Sequence, residues 1–132
     1  MKKITCILIA LLIMGCSSDD DSSNNTNDFQ RVLGSWLLDF RTIDNVEEIL
    51  FSPETIVFSE DANTDDQSGT ATYNDGINLL NLEFTVNSAT NSIVFTNEND
   101  VDTIYSYSFQ GDDLRFTYVT LEGDVVEIWQ AN

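Results

Sequence analysis

The chain contains no histidine, and neither of its two cysteines, Cys6 and Cys16, lies beyond the first 16 residues. Nucleophilic machinery of the Ser-His or Cys-His kind is therefore excluded, as is a zinc site built from nitrogen and thiolate ligands. Positive charge is almost as scarce. Five basic residues face 23 acidic ones, and beyond Cys16 the only cations are Arg31, Arg41 and Arg115. The net charge of that part is 3 − 23 = −20, which argues against nucleic acid as a partner, because such binding depends on Lys and Arg neutralising phosphates. No apolar run approaches the roughly 20 residues of a membrane-spanning helix, and Pro53 is the single proline. What remains is oxygen chemistry. Paired carboxylates about 5 to 10 Å apart can hydrolyse glycosides, but no spacing singles out two of the 23 acids, so the chain reads as a non-enzyme that uses no cofactor.

What is present begins with an address. Lys2 and Lys3 precede an apolar run over residues 4–14, interrupted by Thr5 and Cys6, and Gly15-Cys16 closes it. This is the layout of a secretory leader. Leu11-Leu12-Ile13-Met14-Gly15-Cys16, and within it Ile13, Gly15 and Cys16, resembles the lipobox of bacterial lipoprotein precursors. The resemblance implies cleavage after Gly15, acylation of Cys16 and a lipid-anchored protein of 117 residues, the 132 less the 15 of the leader. The plain alternative is a secreted protein cleaved nearby. Two or three acyl chains hold a protein on its membrane, each buried methylene contributing about 0.8 kcal/mol. With Cys6 removed and the Cys16 thiol acylated, no disulfide remains, and stability must come from the core.

Residues 17–27 contain no apolar side chain, so with Cys16 they read as a flexible acidic linker. Asp19-Asp20-Asp21 resembles the acidic export tag of surface-displayed lipoproteins, and Ser17 stands where an aspartate would signal inner-membrane retention. Together these imply an outer-membrane, lipid-anchored and surface-exposed protein, the bland alternative being an ordinary spacer. The strong negative charge keeps such a domain soluble and away from an anionic surface.

Residues 28–132 form the folded domain. Residues 28–33 suit one short helical turn, with Asp28 as N-cap and Gly34 as its stop. From Trp36 the chain follows the period of a strand, with Trp36, Leu38, Phe40 and Thr42 on one face and Leu37, Asp39 and Arg41 on the other. Further strands are read from Ile56 and Phe58; from residues 70–73; from Leu80, Leu82, Phe84 and Val86; and from residues 93–95. The last three carry Tyr105, Tyr107 and Phe109; then Leu114, Phe116 and Tyr118; and finally residues 125–130. Turn-forming residues separate them, at Asp75-Gly76 and Gly111-Asp112-Asp113 for example. Only residues 46–51 are ambiguous between helix and strand. The expectation is an all-β domain, an antiparallel up-and-down meander of about eight strands, folded as a sandwich or closed as a barrel that leaves no free edge.

Gly34-Ser35-Trp36 at the head of such a meander is similar to the Gly-x-Trp motif of lipocalins, and the domain looks like the small lipocalin-like domains of bacterial lipoproteins. The resemblance implies structural roles for Gly34 and Trp36, the tryptophan plugging the closed end. It also implies a cavity for a small apolar or amphipathic ligand, against the alternative of a filled barrel acting as an envelope interaction module. The lipocalin arginine that packs on the motif tryptophan has no counterpart, because nothing basic follows Arg115. Tyr105, Tyr107, Tyr118 and Trp129, apolar rings with polar tips on late strands, are the candidate ligand-binding residues, or else simply core. Residues 60–66 alternate oxygen ligands as a calcium loop does, and Asp100 with Asp102 forms a weaker cluster. Asp66 stands where an EF-hand needs glycine and Thr72 where it needs its closing glutamate, so no metal site is assigned.

Overall fold

The computed structural model describes residues 25–132. The expected leader, Cys16 and the expected linker as far as residue 24 lie outside the described residues. A short helix, α1 (Asn25–Val32), is followed by nine strands: β1 (Gly34–Ile43), β2 (Val46–Glu47), β3 (Thr55–Glu60), β4 (Ser68–Asn74), β5 (Leu79–Asn87), β6 (Ser92–Thr96), β7 (Asp102–Gln110), β8 (Asp113–Thr120) and β9 (Gly123–Ala131). Consecutive strands pair antiparallel from β3 to β9, and β9 returns to pair along β1. The meander is thus a closed barrel of eight strands, and the sandwich alternative falls. Closure satisfies the backbone groups that an open edge would leave unpaired. The small strand β2, inside the ambiguous residues 46–51, is the addition to the expected eight. It pairs with the outer half of β1, while β3 pairs with the inner half.

The helix starts three residues earlier than expected, so Asp28 lies in its first turn and not at the N-cap. It caps one end of the barrel. Phe29 and Val32 are buried, the Phe29 ring stacks 5.9 Å from Phe84, and the Trp36 indole N–H donates to the Val32 carbonyl at 2.7 Å. Gly34 links helix to strand with φ +118°, a conformation that side chains oppose. Gly69 is required for another reason. A Cβ there would stand 2.2 Å from the Ser59 carbonyl oxygen and 2.8 Å from the Phe84 ring.

The core is the inward row of each strand, among them Leu38, Ile56, Phe58, Ala71, Phe84, Ile93, Phe95, Leu114 and Phe116. Its rings pack edge to face, as Phe58 on Phe84 at 4.9 Å and 77°, the arrangement that ring quadrupoles favour. One departure from the simple period decides the site. Leu38 pairs with Trp129 but Phe40 pairs with Ile128, so Asp39 is an extra residue in a β-bulge. Beyond a bulge the two faces exchange. Phe40 and Thr42, expected inside with Trp36 and Leu38, share the face of Ile128 and Val126, while Arg41 and Ile43 stand opposite the inward Glu127 and Val125. Among the described residues no helix is long and apolar enough to cross a membrane.

Candidate ligand cavity

Hairpin connections alternate between the ends of a meander, so the residues joining β1 to β3, β4 to β5, β6 to β7 and β8 to β9 gather at the end opposite α1. There the barrel holds a cavity of about 240 Å³. Its inner wall is aromatic, from Tyr73, Phe95, Tyr105, Phe116, Tyr118 and Trp129. Leu80, Asn97, Val101 and Thr103 stand nearer the mouth, and the charged lining residues are Arg41 and Glu127.

The bulge carries Arg41 into the barrel, where one guanidinium meets three carboxylates. Its Nε donates to Glu127 Oε1 at 2.7 Å, and its two terminal nitrogens donate to Glu54 at 2.9 and 2.6 Å in a bidentate pair. A longer bond of 3.2 Å reaches Glu48, which is half exposed at the rim. Glu54 and Glu48 come from the segment between β2 and β3 that spans the split in the wall where β1 changes partner. Burial alone would lower the affinity of Arg41 for its proton, but the hydrogen bonds and charges of Glu54 and Glu127 outweigh it and hold the guanidinium charged. The carboxylates have further donors: Tyr73 O–H to Glu54, Tyr118 O–H to Glu127 Oε1 at 2.9 Å, and the Trp129 indole N–H to Glu127 Oε2 at 3.0 Å. Glu127 is only 3% exposed, and such a buried charge is tolerated because every one of these bonds is made.

Of the four candidate ligand-binding residues, Tyr105, Tyr118 and Trp129 come together on this wall. The Tyr105 and Tyr118 rings stack 4.0 Å apart and nearly parallel. Tyr107 does not join them. Two residues further along β7 it lies at the closed end, where its O–H donates to Asp28 at 3.2 Å. Trp36 also lies at the closed end, with Gly34 at the head of its strand. Arg115 alternates away from the inward Leu114 and Phe116, so it does not take the place of the arginine that packs on the motif tryptophan. A cation at the closed end is Arg31 of α1, 3.7 Å over the Phe109 ring and bonded to the Gly111 carbonyl at 2.9 Å.

Arg41, Glu54, Tyr73 and Glu127 are not among the residues expected at the site. The strand period of residues 125–130 already sets Glu127 between Val125 and Trp129 on one face, and a carboxylate on an apolar face demands a cation from the three available. The same period sets Val126 and Ile128 on the opposite face, so it does not by itself decide which face turns inward. In the loop of residues 60–66, Asp61 and Asp66 accept hydrogen bonds from Asn63 of the same loop, and Asp66 also from Ser68 at the head of β4. Bonds from Ser68 hold the Asp66 carboxyl below the usual range. Among the described residues no three Asp, Glu, His or Cys side chains are grouped to hold a metal ion.

All four tyrosines of the chain keep their protons more tightly than usual. Burial is the first cause at each; carboxylates add to it, Glu54 at Tyr73, Glu127 at Tyr105 and Tyr118, and Asp28 at Tyr107. The unfolded chain releases these protons near pH 10. A raised folded-state value means that the native state binds more protons above that pH, so stability is fully present below about pH 10 and is lost as pH rises further. Absorbance at 295 nm and far-UV circular dichroism followed together should show phenolate appearing only above pH 10 and together with unfolding. Phenolate in a folded barrel at pH 9.5 would contradict the network.

No family model, curated protein or solved structure matches this chain.

Proposed function

We propose that this protein is a lipid-anchored bacterial envelope lipoprotein whose lipocalin-like barrel binds a small apolar or amphipathic ligand in the cavity opposite α1, without catalysis. The observation that carries the reading is the aromatic cavity itself, open at one end and lined by rings with polar tips, in a barrel whose other end is plugged. Its size favours a compact ligand, below the roughly 300 Å³ at which drug-sized sites begin. The two tryptophans offer the test, because Trp129 stands on the cavity wall and Trp36 at the plugged end. In a titration of nitrogen-15 labelled protein with neutral 2-phenylethanol, the Trp129 indole resonance should move saturably while that of Trp36 stays. Movement of neither, or of both without saturation, would remove the cavity from consideration.

The anchor rests on the Gly15-Cys16 pattern and the outer-membrane, surface-facing position on Asp19-Asp20-Asp21. Cys16→Ser should release the protein from the membrane fraction or leave it unprocessed; unchanged fractionation would refute the anchor.

One observation favours the interaction-module reading. The connections around the mouth expose Ile49, Phe51, Ile77, Val101 and Leu121, and the head of β5 exposes Leu79 and Leu80, Phe51 being 95% exposed; apolar residues gathered on a surface commonly mark a protein contact. On that reading cross-linking from this rim on intact cells captures a neighbour, and charged substitutions at Phe51 and Leu121 abolish the capture while leaving small-molecule binding intact.

A further inference from the structure

We infer that the ligand is an organic cation, a protonated amine carried on a compact apolar body, bound with its ammonium against the stacked tyrosines and Glu127. The inference rests on the reading of the cavity as a ligand site and names the chemical class that this site takes. An arginine inside a barrel suggests at first a receptor for carboxylates. The hydrogen bonds here point the opposite way. Arg41 has five N–H donors, and four hydrogen bonds already run from it to Glu127, Glu54 and Glu48. Its charge is spent within the protein. One guanidinium against three carboxylates leaves the cluster negative, so an anionic ligand would meet net repulsion and at most one free donor. Among the described residues no second cation lines the cavity beside Arg41.

The walls point to the same class. The face of an aromatic ring is electron-rich and attracts a cation within about 6 Å of its centroid, most strongly where water is excluded. Tyr73, Tyr105, Tyr118 and Trp129 line the cavity together with Glu127, so it holds several such rings beside a carboxylate. The charge of the whole molecule acts in the same direction. Glu98, Asp100 and Asp102 lie in or beside the β6 to β7 connection near the mouth, and a net charge of −18 for the whole chain concentrates small cations at it.

The test is a matched series on the same ring: 2-phenylethylammonium, neutral 2-phenylethanol and anionic 3-phenylpropionate, each titrated into the folded protein at pH 7 and low salt while the Trp129 indole resonance is followed. The expected order is amine, then alcohol, then carboxylate, with at least tenfold between the first and last and a narrowing gap at high salt, because salt screens the charge at the mouth. Glu48→Gln, a change at the half-exposed rim, should weaken the amine a few-fold and leave the alcohol unchanged. A carboxylate bound as well as the amine would overturn the cationic class, and so would equal weakening of amine and alcohol by Glu48→Gln. Binding of the alcohol in either case would leave the cavity reading standing. If none of the three moves Trp129, both readings fall together.

Discussion

Arg41→Met is expected to destabilise the barrel by about 3 to 5 kcal/mol, the cost of leaving the buried Glu127 and the part-buried Glu54 without their cation. Against the 5 to 15 kcal/mol that holds a typical domain, this is a large share, and the thermal midpoint should fall by roughly 12 °C or more. Methionine replaces the aliphatic stem well enough, so the loss is electrostatic. Glu127, nearly sealed from solvent, would keep the Tyr118 hydroxyl and the Trp129 indole as donors but no positive charge, and Glu54 only the Tyr73 hydroxyl. A companion variant separates this cause from lost packing. Arg41→Met combined with Glu54→Gln and Glu127→Gln removes the inner charges of the cluster at once and should recover a good part of the stability, because the penalty comes from unpaired charge and not from the absence of the ion pair. Urea denaturation of both variants decides the matter. A single mutant within 1 kcal/mol of the parent, or a triple mutant no better than the single, would show that the cluster is not the buried ionic unit its geometry describes. Glu48→Gln, at the exposed edge of the same cluster, should change stability by less than about 1 kcal/mol.

Phe84→Ala is the second large effect, again expected at about 3 to 5 kcal/mol. Phe84 is 1% exposed, joins Phe58 in the barrel to Phe29 of the helix, and packs over the bare Cα of Gly69. Its removal opens a cavity that the closed hydrogen-bonded wall around it cannot collapse to fill, and it takes away the surface on which α1 rests. The two consequences are separable. Denaturation reports the global loss, and amide exchange should show α1 opening more readily than the strands. Phe51→Ala makes the contrast: the residue is equally aromatic but nearly fully exposed, and its loss should stay within about 0.5 kcal/mol. An equal cost at the two positions would contradict the described core.

The two variants also mark what sequence patterning can reach. Phe84 was legible. It stands in Leu80, Leu82, Phe84 and Val86, a strict alternation in which every second residue is apolar, and a strand with one buried face leaves little choice about which side turns inward. The same holds for Phe116, between Leu114 and Tyr118. Arg41 was not legible, because the alternation from Trp36 assigns it to the outside, and only the extra residue at Asp39 reverses the faces. A bulge is chosen by the mismatch between two paired strands, here β1 and β9, and nothing within β1 announces it. Tyr107 failed for a related reason. Tyr105 and Tyr107 share a face, but one residue pair along a strand spans about 7 Å, enough in this small barrel to separate a cavity wall from the plugged end.

The sequence by itself determined the class of the domain. The strand period, the turn residues between the strands and the absence of any long helical period specify an antiparallel meander, and the absence of histidine, with no cysteine beyond Cys16, removed whole families of chemistry. These are local properties, readable within a few residues. The tertiary structure decided three things that depend on residues far apart in the chain. Closure required β9 to meet β1, which turns a meander into a barrel and not a sandwich. The position of the helix over one end decided which end could hold a cavity. The meeting of Arg41 with Glu54 and Glu127, separated from it by 13 and 86 positions, decided the charge inside that cavity. A buried ionic cluster exists only when the fold brings its members within hydrogen-bond reach, and that distance is a property of the closed barrel.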